Sequence, residues 1–92
     1  MIIMDFKEFG PVQARMVDKY ELRSIYKGAC VILDTYSPEA VEQLLQDWDM
    51  ALTWASLAEE AVDDDWYTRA LLCVCLRGLR GDRKPEWIDI TN

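Results

Sequence analysis

Residues 37–62 read SPEAVEQLLQDWDMALTWASLAEEAV, and the helix in this stretch sets the frame for the rest of the chain. Ser37 can cap a helix through its hydroxyl, Pro38 suits the first helical position, and Glu39 suits the positive end of the helix dipole. The helix so opened is predicted to run from Pro38 to about Val62. At about 100° per residue, Val41, Leu44, Leu45, Trp48, Ala51, Leu52, Ala55 and Val62 share one face. Glu42, Gln46, Asp49, Thr53, Ser56 and Glu60 share another. This is the pattern of a helix with one side in a core and one in water.

The same helix carries a second apolar stripe, Met50, Trp54, Leu57 and Ala61, beyond the acidic strip. Two apolar stripes require two covers. The second stripe is covered either by the N- or C-terminal segment of the same chain, or by a partner protein or a second copy with Trp54 as the anchor, since tryptophan is enriched at binding hot spots. The candidate partner-binding set is Glu42, Asp49, Met50, Trp54, Leu57 and Glu60.

Downstream, Asp63-Asp64-Asp65 breaks the helix and caps the next, because carboxylates are favoured at a helix N-terminus. Trp66 to Leu76 then reads as a helix that is apolar nearly all round, which places it in the middle of a bundle, and Gly78 reads as its stop. Upstream, residues 1–9 read as a short extended piece ended by Gly10-Pro11. A first helical region is expected from about Val12. Within it, Leu22, Ile25, Tyr26, Ala29, Leu33 and Tyr36 keep helical spacing. Residues 29–33 also fit a buried strand after a turn at Lys27-Gly28, and helix is preferred. Residues 85–90 alternate weakly and suit a short strand, set beside the N-terminal one. The expected fold is mainly α, a small bundle of three or four helices with short terminal strands, in a single domain spanning 1–92.

Bulk composition narrows the function classes. Of 92 residues, 51% are hydrophobic, enough for one core and too many for a disordered chain. No apolar run approaches the roughly 20 residues of a membrane span, and the start Met1-Ile2-Ile3-Met4-Asp5 does not read as a signal peptide. The three cysteines, Cys30, Cys73 and Cys75, have no disulfide spacing, which points to free thiols and a cytoplasmic setting. There is no histidine, so the commonest general base and a leading metal ligand are both missing. The chain is expected not to be an enzyme and to need no cofactor.

The net charge of −7 conceals a segregation. Residues 34–65 contain ten acids and no base: Asp34, Glu39, Glu42, Asp47, Asp49, Glu59, Glu60, Asp63, Asp64 and Asp65. Residues 1–33 sum to +1, with five bases against four acids, and residues 66–92 to +2, with five against three. The acidic segment is either a solubilising face, partly neutralised by the basic ends, or a surface complementary to a basic partner. Direct binding to DNA or RNA is disfavoured, because such affinity comes from cations meeting phosphates.

Other constellations have ordinary readings. Cys73 and Cys75 point about 200° apart on a helix, so they cannot chelate together, and they read as small core residues. Asp63–Asp65 lacks the spaced ligands and glycine of a calcium loop. Arg77, Arg80, Arg83 and Lys84 form a basic cluster that reads as a solvated loop or as counter-charge for the acidic helix. No phosphate loop, nucleophile elbow or dinucleotide fingerprint occurs.

In size, acidity and compactness the chain resembles the small inhibitor proteins of phages and mobile elements, and immunity proteins. The likeness is one of composition over the whole chain and assigns no residues. The expected function is that of an acidic inhibitor that docks a helix face on a basic site of a partner protein, mimicking nucleic acid. The alternative is a structural or assembly component, such as a phage assembly chaperone, acting through a homodimer or larger homo-oligomer built on the apolar stripe.

Overall fold

The computed structural model describes residues 2–4, 6–10, 12–58 and 62–81. It is mainly helical. Strand β1 (Ile2–Met4) leads through a 3-10 turn (Lys7–Phe9) to strand β2 (Arg15–Val17), followed by helices α1 (Lys19–Thr35), α2 (Pro38–Leu57) and α3 (Asp64–Leu79). The two strands pair antiparallel, with Ile2 opposite Val17, Ile3 opposite Met16 and Met4 opposite Arg15.

The first helix forms but starts later than the expected Val12. Residues 15–17 pair with β1 instead, and α1 begins only at Lys19 because Asp18 caps it. The Asp18 carboxylate accepts the Glu21 N–H at 2.8 Å, taking the place that a carbonyl of a further upstream turn would fill. The Glu21 carboxylate is in turn held by Arg15 Nη2 at 3.0 Å. The partner of β1 is therefore β2. Residues 85–90, expected beside it, lie outside the described residues. In the pleat, Val17 and Met4 point into the core and the cross-strand pair Ile3 and Met16 points out. Residues 29–33 are helical, and Leu22, Ile25 and Ala29 form the buried stripe of α1.

Helix α2 opens as its sequence dictates, with the Ser37 hydroxyl accepting the Ala40 N–H at 3.2 Å and Pro38 at the first position. It ends earlier than expected, at Leu57. The Ala58 N–H closes on the carbonyls of Trp54 and Ala55, and the backbone leaves the helical region there, so Val62 lies outside the helix. No glycine or proline marks this end.

Helix α3 starts where the aspartates predict: the Asp63 carboxylate accepts the Trp66 N–H at 2.9 Å. It runs past Gly78, which is buried inside the helix, to Leu79. The stop is Gly81, whose φ of +89° is open to glycine and rare for other residues, and whose N–H bonds the Gly78 carbonyl.

Helix α3 packs against both α1 and α2, which scarcely touch each other. This position accounts for its all-round apolar character: Ala70, Leu71, Cys73, Cys75 and Leu76 are all fully buried. Burial pushes the Cys73 thiol up to about 11 and the Cys75 thiol up to about 12, so both stay protonated and inert near neutral pH. At the α3 N-terminus, Trp66 and Tyr67 meet Phe6 edge to face, with ring centroids 5.6 and 5.2 Å away, and Phe9 lies 6.1 Å from Trp66. The buried Trp66 indole N–H donates to the Leu52 carbonyl at 2.9 Å, locking α3 onto α2.

Candidate interaction surface

The core side of α2 consists of Val41, Leu45, Leu52 and Ser56. The burial of Ser56 departs from the expected polar face. The 3-10 turn lies over this residue, and its hydroxyl donates to the buried Phe9 carbonyl and also approaches the Thr53 carbonyl. The N-terminal segment thus covers the edge of the core side of α2 at Ser56. It leaves the Met50 stripe uncovered.

Met50, Trp54 and Leu57 are 63%, 71% and 65% exposed. By helical spacing they lie on the side of α2 opposite Leu52 and Leu45. Gln43 and Asp47 share that side, tied to each other by a bond from Gln43 Nε2 to Asp47 Oδ1 of 3.0 Å. The remaining exposed apolar side chains, Ile3, Met16, Tyr20, Val31 and Tyr36, are spread over other elements. Ala61 and Glu60, which the sequence assigned to the stripe and to the acidic face, lie outside the described residues.

The acidic ridge divides in two. Asp49 is half-buried, and its carboxylate sits 3.3 Å from Arg77 Nη2 on α3. Arg77 Nη1 also reaches Glu8 at 3.2 Å, and the guanidinium lies 5.6 Å from the Phe9 ring centroid. One arginine of the basic cluster is therefore the internal counter-charge of Asp49. Glu42 is exposed and, among the described residues, neither it nor Asp47 has an ion pair. Arg80 shares a shallow hollow with Glu42, Gln46 and Asp49, while Arg83 and Lys84 lie outside the described residues. Asp64 approaches Arg15 at 3.7 Å, and Asp63 is spent on its cap.

The apolar arc of α2 is wider than what covers it. Leu44, Trp48 and Ala55, expected in the core, are half-buried, and Ala51 is exposed. With α1 and α2 barely in contact, an open groove of about 450 Å³ remains between them, lined by Ile32, Tyr36, Ala40, Leu44, Asp47 and Trp48. Trp48 also lines a second hollow of about 190 Å³, with Ala51, Ala55, Trp66, Asp65 and Arg69.

Among the described residues, no three metal-ligating side chains converge, and no helix is long and apolar enough to cross a membrane. The residues that sequence reasoning missed are Phe6 and Phe9. The i, i+3 spacing of the two phenylalanines before Gly10 was the available signal for them. Arg77 was in the basic cluster expected as counter-charge for the acidic helix, but its pairing with Asp49 in particular had no local signal, because the two lie far apart in sequence. Comparison with protein-family models, curated protein sequences and solved structures finds no match to this chain.

Proposed function

We propose that this protein acts by binding, as an acidic inhibitor whose α2 outer face docks on a basic surface of a partner protein. The observation that carries the reading is the exposed stripe of Met50, Trp54 and Leu57 on a helix set in a stretch of sequence, residues 34–65, that has ten acids and no base. An exposed Trp with two long apolar neighbours supplies the desolvated centre of an interface, and Glu42 and Asp47 supply a charged rim that speeds and orients encounter. Asp49 is left out of the contact set, since Arg77 already engages it. The setting that goes with this reading is a small helical bundle in the cytoplasm. No catalytic step and no cofactor belongs to it.

The test is capture of the partner from the native host by the tagged protein over a salt series, with two variants in parallel. Loss of capture by both Trp54→Ala and the double reversal Glu42→Lys/Asp47→Lys, with circular dichroism unchanged, is the expected result. Capture that survives both variants at all salt concentrations overturns the reading. A dimer in light scattering that Trp54→Ala dissolves would replace it with the homo-oligomer.

A further inference from the structure

We infer that the outer side of α2 is a seam for a cationic amphipathic helix of the partner, laid along α2 between the Trp48 and Trp54 side chains. The inference rests on the binding reading above and names what enters the site.

The spacing carries it first. Ala40, Leu44, Asp47, Ala51, Trp54 and Ala58 recur at alternating intervals of four and three residues, the pattern by which one helix receives another in a coiled coil. In an isolated helix such a seam is unremarkable, but here it is open: Leu44 is half-buried and the other five are exposed. It extends over about 27 Å, or five turns. Its alanines permit close approach of a second backbone, while Met50 and Trp54 rise on one side and Trp48 on the other. The Trp48 side is concave, because the groove of about 450 Å³ against Ile32 and Tyr36 lies there. A helix set on the seam would place its apolar side chains into that groove.

Charge then chooses the occupant. A second copy would bring the same acids to the contact, with Asp47 inside the seam and no base in either α2. Like charges at close range disfavour that pairing. A partner helix with leucine-type residues on one stripe and Lys or Arg beside it meets Asp47 in the seam and Asp65 in the adjoining hollow with opposite charge. Arg69 is the single cation lining the adjoining hollow.

Three labelled peptides of about 18 residues, matching the seam length, test this by fluorescence anisotropy on the full chain. One carries Leu at heptad seam positions and Lys elsewhere, one has Glu in place of Lys, and one has the Leu/Lys composition scrambled off the heptad. The Leu/Lys heptad peptide is expected to bind at least about tenfold more tightly than either control, and more weakly as salt rises. Ala51→Gln and Leu44→Gln are expected to weaken it by a similar factor, with circular dichroism and melting unchanged for the exposed Ala51 site. Equal binding of the scrambled or the Glu peptide overturns the inference, as does indifference to both substitutions. So does a homodimer that Ala51→Gln dissolves. If Trp54→Ala abolishes capture of the native partner while Ala51→Gln and Leu44→Gln leave it intact, the seam fails and the outer-face reading stands. If Trp54→Ala also leaves capture intact, that reading has failed as well.

Discussion

The Arg77 guanidinium lies 3.3 Å from the Asp49 carboxylate, joining the middle of α2 to the end of α3, and its other nitrogen reaches Glu8 in the 3-10 turn. One cation thus ties three elements together while its flat face covers Phe9. Removing it takes the counter-charge from the half-buried Asp49 and one ion-pair partner from Glu8. Arg77→Ala is expected to lower stability by about 1–2 kcal/mol, less at high salt because the pairs are partly solvated. Urea denaturation at two ionic strengths measures this.

Ser56 and Gly10 occupy one tight contact. A Cβ on Gly10 would collide with the Ser56 hydroxyl, and Gly10 has φ +126°, a region that side chains rarely adopt. Gly10→Ala is expected to cost about 2 kcal/mol or more. Ser56→Ala leaves the buried Phe9 carbonyl without its hydroxyl donor, at about 1–2 kcal/mol. In the double variant the collision is relieved and the backbone strain is not, so the two costs sum to more than the measured total. A double-mutant cycle reads the difference.

Trp66 and Trp54 give opposite results on truncation. Trp66→Phe removes the indole bond to Leu52 and part of a fully packed ring, at about 1–3 kcal/mol. Trp54→Ala touches an exposed side chain and is expected to change stability by no more than about 0.5 kcal/mol. Thermal melts of the two variants side by side distinguish a core tryptophan from one kept for binding.

The buried thiols predict a loss of stability in base. Burial raises the Cys73 and Cys75 values above the ordinary 9.0, to about 11 and about 12. Below pH 9 both states hold the protons and nothing changes. Above it the unfolded chain releases protons that the folded chain keeps, so stability falls as pH rises toward 11 and 12. Denaturation midpoints between about pH 8 and 10.5 are expected to fall more steeply for the native chain than for Cys73→Ala/Cys75→Ala. The double variant holds lysine and tyrosine titration constant, so the difference in slope belongs to the thiols.

The sequence by itself determined the parts that rest on local chemistry. Ser37-Pro38 and Asp63 set two helix starts because caps act within one turn, and the heavy apolar content of residues 70–76 required a helix covered on more than one side. The apolar stripe of Met50, Trp54 and Leu57 also follows from periodicity, and its exposure is a result of the tertiary structure. Tertiary structure decided what depends on distant neighbours. Residues 15–17 became a strand because β1 was there to pair with, Ser56 went inside because the Phe9 carbonyl arrived over it, and Asp49 was neutralised by an arginine 28 positions away. The open groove beside Trp48 has the same origin: how far α1 leans from α2 is set by both helices packing on α3, a geometry that no single stretch of chain encodes.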